Sequence, residues 1–254
     1  TYLNDLLDVP TDENLARWIR DELNLSGVSA MGIQSASDQG VDLDSNDNAH
    51  TWCKFRFEAA HQLPNVPPGH QCGRMHGHGF EVIIHAEEGL GSADLGIDFD
   101  LIRKCWDPLQ AQLHNSCLNE MQGLKNPTSE MLSAWIWERL KPVLKSLSWV
   151  TVYETITAGC HFDGSQYRIW KEFRFESALK PGVTIDDPSN QLFRGHSYVT
   201  RLHLTAPLDR VMGWTVDYGD VKELFKSTYK QLDHNLLTDI DGVGNGDLES
   251  ILKW

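Results

Sequence analysis

Four side chains in one short stretch have the types and spacing for metal chemistry beside a nucleophile. They are His61, in Ala59-Ala60-His61-Gln62-Leu63, then Cys72, His76 and His78 in Cys72-Gly73-Arg74-Met75-His76-Gly77-His78. His76 and His78 are two residues apart at the entry to an expected strand, so their side chains leave one face. A hairpin connection brings His61, at the end of the preceding expected strand, alongside them. Three neutral imidazoles on one surface form a natural zinc site, and without a fourth protein ligand they leave room for water or substrate.

The elements that must hold these residues follow from periodicity. Trp52–Ala60 and Gly79–Ala86 alternate apolar and polar residues as strands do. Asp100–His114 has helical spacing, and Thr128–Leu144 reads as a second helix with start signals in Pro127-Thr128-Ser129-Glu130. Trp149–Thr155 is a β-branched strand, followed by a short one near Cys160–Phe162. The order ββααββ predicts an α+β fold, an antiparallel sheet with two helices on one face. Such a sheet has open edges, so repeats or subunits are expected to associate edge to edge.

The chain also repeats itself. Phe57 returns as Phe175 and Gly77-His78 as Gly195-His196, each 118 residues on. Ile97-Asp98-Phe99 returns as Val216-Asp217-Tyr218, and Asn126 and Glu130 as Asn245 and Glu249, each 119 residues on. Pro10–Leu15 matches Pro127–Leu132 at a shift of 117. The expected organisation is the rear of a first repeat over 1–48, a complete repeat over 50–165, and the front of a further repeat over 166–254. Asp38–Asn48, rich in Asp, Asn and Ser, reads as a linker at the first boundary. The start at Thr1 and the stop at Trp254, inside an expected helix Asp247–Trp254, suggest a piece of something longer.

The chain has 254 residues with 41% hydrophobic and 23% charged, a globular composition without an apolar run of membrane-spanning length. A net charge of −14 argues against a nucleic-acid surface, which needs a basic face. Five cysteines, none in a C-x-x-C pair, fit a reducing compartment, and the expected location is cytoplasmic.

The motifs F-x-A-A-H-x-L-P and C-G-R-x-H-G-H, continued by Asn126-Pro127-Thr128-Ser129-Glu130 and Tyr153-Glu154-Thr155, resemble the 6-carboxytetrahydropterin and 6-pyruvoyltetrahydropterin synthases. The resemblance covers the whole middle repeat and implies tandem T-fold repeats. The cysteine four residues before the first H-G-H histidine is similar to the carboxy-forming branch. The resemblance implies Zn2+ on His61, His76 and His78, Cys72 as base, and a pterin held by Glu154 with Thr155 beside it. A carboxylate accepts two parallel N–H groups, which suits a pterin's amino and ring N–H. The implied reaction is zinc-dependent lysis of 7,8-dihydroneopterin triphosphate to 6-carboxy-5,6,7,8-tetrahydropterin, acetaldehyde and triphosphate, on the way to queuosine. Arg74 is a candidate triphosphate contact. A pyruvoyl-forming synthase, or a non-catalytic pterin- or purine-binding protein, stays open as an alternative.

The pattern is broken in complementary ways. The resemblance implies an Asp-His pair after the first helix, but the middle repeat has His114 and Asn115 there, while the further repeat keeps Asp233 and His234. That repeat in turn has Leu179, Arg194 and Asn190 where two zinc histidines and the cysteine align, retaining only His196. Gln34 stands in the first repeat where Glu154 aligns. One composite site is therefore expected, joining the metal, Cys72 and Glu154 to Asp233 and His234 of a neighbouring repeat in the same or another chain.

Overall fold

The computed structural model describes residues 2–87, 97–180 and 193–254. The chain folds as two compact units, one of residues 1–169 with 205–215 and the other of residues 170–204 with 216–254.

The first unit opens with helix α1 (Asp12–Leu23) and strands β1 (Met31–Ala36) and β2 (Gln39–Leu43). Strands β3 (Ala49–His61) and β4 (His76–Glu87), helix α2 (Phe99–Leu113), the two-residue β5 (Ser116–Cys117) and helix α3 (Ser129–Leu140) follow. Strands β6 (Leu147–Thr155) and β7 (Ala158–Phe162) complete it. The sheet order is β1-β2-β3-β4-β6-β7, each neighbouring pair antiparallel, with β5 pairing parallel to the end of β3 off this path. The ββααββ order predicted for the middle repeat is observed with one addition, the two-residue β5 between the helices.

Alternation explains which side packs. Cys53, Phe57, Phe80, Val82, Ile84, Val150 and Val152 all face one side, where they bury against Trp106, Leu113, Leu132 and Ile136 of α2 and α3. Each helix begins on a side-chain cap, Asp98 accepting from the Asp100 amide at 2.8 Å and Thr128 from the Met131 amide at 3.1 Å. Helix α3 stops at Leu140, short of the expected Leu144. Pro142 lies just beyond it and has no N–H to continue the ladder.

The expected linker is a strand. Within Asp38–Asn48, residues Gln39–Leu43 pair with β3, Val41 opposite Thr51 and Leu43 opposite Ala49. Val41 and Leu43 are buried with Ala16 and Ala49, and this alternation outweighs the turn-forming composition around it. An Asp44 turn closes the hairpin, its carboxylate accepting the Asn46 and Asn48 amides. The segment before the middle repeat thus joins it edge to edge.

The second unit carries most of strand β8 (Tyr167–Leu179), with strand β9 (Arg194–Thr205) and helices α4 (Tyr218–Leu232) and α5 (Leu248–Lys253). Its core is smaller, built on Phe175, Leu232, Leu237 and Val243. Among the described residues no helix is long and apolar enough to cross a membrane.

Candidate metal centre

The antiparallel register places the imidazoles. His61 at the end of β3 lies opposite His76 at the start of β4, and Ala59 lies opposite His78. Gly77 sits between the two β4 histidines, where a Cβ would stand 3.1 Å from the Ala59 carbonyl oxygen, so the close approach favours glycine. One ring nitrogen from each of His61, His76 and His78 falls within 4.8 Å of the others.

The tautomers follow from the hydrogen bonds. Nδ1 of His61 lies 3.1 Å from the Pro127 carbonyl, Nδ1 of His76 2.8 Å from that of Arg74, and Nδ1 of His78 3.2 Å from that of Gly79. A carbonyl can only accept, so each neutral ring carries its proton on Nδ1 and leaves Nε2 as a bare lone pair. Nε2 of His61 and Nε2 of His78 nevertheless face each other at 3.1 Å. Two lone pairs at that distance repel unless a cation lies between them, and a carbonyl accepting the other ring N–H of each imidazole is the usual support of a metal site. The donor set fits a borderline-soft divalent ion such as zinc.

Burial reinforces neutrality. His61 is fully buried, and its pKa falls to about 4 chiefly by desolvation, against the opposing bond to Pro127. Burial lowers His78 as well. Phe80 packs against both rings, at centroid distances of 5.4 Å from His61 and 4.3 Å from His78.

Cys72 sits half-buried in a 3-10 turn, Gln71–Gly73, on the loop between β3 and β4. Its amide donates to Nδ1 of His70 at 3.2 Å and its carbonyl accepts the Leu63 amide at 2.8 Å. The thiol is not one of the clustered ligand atoms. Arg74 has an exposed side chain, and its carbonyl orients His76.

Glu154 occupies an irregularity of β6. Tyr153 pairs with Gly159 and Thr155 with Ala158, leaving Glu154 as the extra residue of a bulge, a device that re-aims a side chain. Thr155 lines a cleft with Arg56, Glu58, Gly79 and Tyr153.

Asp233 and His234 lie in the second unit and form the expected pair. Oδ2 of Asp233 is 2.9 Å from Nδ1 of His234, while Oδ1 accepts the Glu176 amide at 3.0 Å. The Glu176 N–H first, and His234 second, hold this carboxyl below the usual carboxylate range. His234 adopts φ +57°, and its amide donates to the Glu176 carbonyl at 2.6 Å. The middle repeat keeps the anchor without the pair. There His114 Nδ1 accepts the Glu58 amide at 3.2 Å, and Asn115, at φ +58°, donates to the Glu58 carbonyl at 2.7 Å. The exchange of Asp for His thus preserves a backbone contact, a role that sequence reading missed.

His196 belongs to no cluster of three or more potential ligands among the described residues. Leu179 packs against the second core, and Asn190 lies outside the described residues. Sequence reading also missed Glu130, buried at 1% exposure on α3. As a helix-start residue it gave no sign of burial, and its partner, Thr215, is 85 residues away.

Comparison with known proteins extends the picture. The sequence profile of the family described as 6-pyruvoyl tetrahydropterin synthase matches residues 50–165 and 168–254. A 6-carboxy-5,6,7,8-tetrahydropterin synthase of Synechocystis sp. is 36% identical over 116 residues, 43% of this chain and 88% of that protein. A protein named putative 6-carboxy-5,6,7,8-tetrahydropterin synthase, from Archaeoglobus fulgidus, is 31% identical over 85 residues, 33% of this chain and 69% of its own length. Among solved structures, Caenorhabditis elegans 6-pyruvoyl tetrahydropterin synthase aligns with a TM-score of 0.39 at 20% identity, over 42% of this chain and 89% of that one.

Proposed function

We propose that this chain, which belongs to the 6-pyruvoyl tetrahydropterin synthase family, is a zinc-dependent lyase of the carboxy-forming branch. Its substrates are 7,8-dihydroneopterin triphosphate and one water, and its products are 6-carboxy-5,6,7,8-tetrahydropterin, acetaldehyde and triphosphate, which places it on the route to queuosine in the cytoplasm. The observation that carries this reading is the set of three imidazoles with every Nδ1 proton committed to a carbonyl and the Nε2 lone pairs of His61 and His78 opposed at 3.1 Å. The position of Cys72, four residues before His76, and the Synechocystis relative support the carboxy-forming branch.

In this reading His61, His76 and His78 would hold zinc through Nε2. Bound zinc polarises a side-chain oxygen and acidifies the carbon beside it. Cys72 takes the proton from that carbon as thiolate. His234, oriented by Asp233 through Nδ1, presents Nε2 for proton transfer in a composite site with the middle repeat of the same or another chain. Glu154 accepts the ring and amino N–H groups of the pterin, and Thr155 binds beside it. The repeats comprise residues 1–48, 50–165 and 166–254, and sheet edges carry self-association.

The test is incubation of the purified chain with zinc and 7,8-dihydroneopterin triphosphate, followed by assay for acetaldehyde and the carboxypterin. Both products support the lyase, and a pyruvoyl product assigns the pyruvoyl-forming reaction instead. A second reading, a pterin-binding protein without turnover, draws on His114 and Asn115 standing where the middle repeat needs an Asp-His pair. Metal and pterin bound without product would establish it.

A further inference from the structure

A turn that lies between β9 and α4 in the chain, inside the second family match, packs with the first unit and not the second. It is a built turn. Oδ1 of Asp209 accepts the amides of Val211 and Met212 at 2.8 and 3.0 Å, and the Asp209 amide donates to the Trp214 carbonyl at 2.9 Å. Gly213 holds φ +72°, a conformation open to glycine and costly for other residues.

The carbonyls and amides of this turn point at one segment of the middle repeat. Asn126 Nδ2 donates to the Met212 carbonyl at 2.6 Å, and the Thr128 hydroxyl donates to the Gly213 carbonyl. The buried carboxylate of Glu130 accepts both the amide of Thr215, at 2.7 Å, and its hydroxyl, at 3.1 Å. Pro127, whose carbonyl receives the Nδ1 proton of His61, lies between two of these anchored residues. The turn reaches the cysteine loop too, because Asn65 Nδ2 donates to the Val211 carbonyl at 2.6 Å.

From this geometry we infer that the turn Asp209–Thr215 is a positioning element for the metal centre, setting the orientation of His61 through Asn126, Thr128 and the Pro127 carbonyl. None of its residues is among the clustered ligands. A metal-ligating histidine depends on the acceptor at its second nitrogen, and loss of such an acceptor lowers metal affinity about 10–100-fold. The further repeat, without a metal cluster of its own among the described residues, thereby contributes to the centre of the middle one. The inference rests on the metal reading given above.

Cobalt binding to the full chain tests it, by chelator-competition affinity and by the visible absorption bands of the bound ion. Gly213→Ala brings a Cβ to 2.8 Å from Asn126 Nδ2 and 3.1 Å from Met131 Cγ in a strained backbone, and should displace the turn. It is expected to weaken cobalt binding by at least about tenfold and to shift the bands. Thr215→Val, which removes only the hydroxyl, should change both measures in the same direction, and Thr215→Ser should restore wild-type values. A folded Gly213→Ala protein with wild-type affinity and bands would overturn the inference. If that variant does not fold, identical cobalt binding in Thr215→Val and Thr215→Ser overturns it instead. Wild-type protein that takes up no cobalt would remove the metal reading and this inference with it.

Discussion

Nε2 of His61 faces Nε2 of His78 at 3.1 Å, and the Nδ1 atoms of both rings are held by carbonyl oxygens. In a neutral pair this sets two acceptors against each other, one of them on a fully buried ring. A bound cation relieves that opposition, so the folded state should bind metal much better than the unfolded chain. At a free metal concentration about a hundredfold above Kd, the gain is about 2.7 kcal/mol. Calorimetry with and without added zinc should show a rise of several degrees in Tm, absent from His61→Ala. An identical Tm in both conditions would count against the site.

Cys53 and Cys72 should differ in reactivity. Burial raises the Cys53 thiol to about 11, with Arg103 opposing, so its thiolate is scarce at pH 8. Cys72 is half-buried in a loop turn. Iodoacetamide at pH 8, read by peptide mass spectrometry, should label Cys72 well before Cys53. Cys72→Ala should keep the metal and reduce turnover by at least about a hundredfold. Preserved turnover in that variant would remove the thiol from the chemistry.

His114 stands in the place of Asp233, and Asn115 in the place of His234. His234 is oriented by the Asp233 carboxylate, whereas His114 accepts a backbone amide. Replacing His234 with Ala is expected to cut turnover by about a hundredfold or more at unchanged metal content. Replacing His114 with Ala should leave turnover close to wild type. Equal effects of the two substitutions on turnover would end the composite site.

Glu130 makes stability depend on pH in a defined direction. Burial raises its carboxyl pKa in the folded state, despite the donors from Thr215 and Ser129. The folded chain therefore binds this proton more tightly than the unfolded chain. The contribution is fully present below the unfolded pKa and is lost as pH rises through the folded one. Glu130→Gln keeps an oxygen for Thr215 but has no proton to release. Urea denaturation at pH 4.5 and pH 7 should show wild type losing stability relative to the variant as pH rises. A constant difference between them would refute the assignment.

What was legible in the sequence was local. Alternation in β3 and β4, the helical spacing of Asp100–His114 and the start signals at Pro127–Glu130 set the sheet and the helices that cover it, and the spacing from His61 to His78 picked out the three imidazoles that cluster. Strand β2 was hidden because Asp and Asn around Val41 and Leu43 carry a turn composition, while the deciding term is burial against Ala16 and Ala49. The bonds from Thr215 to Glu130 and from Gly213 to Thr128 join residues 85 apart and have no periodic signature. The substitution at His114 read as a loss because its retained contact goes to backbone, which sequence does not display.

The most direct test is the metal content of the chain as purified, measured by inductively coupled plasma mass spectrometry beside the triple variant H61A/H76A/H78A. The geometry predicts about one zinc equivalent per chain in the wild type, from one cluster of three imidazoles among the described residues, and background levels in a variant that still folds. A wild-type protein without metal after incubation with zinc, or a folded triple variant with the same content, would contradict it.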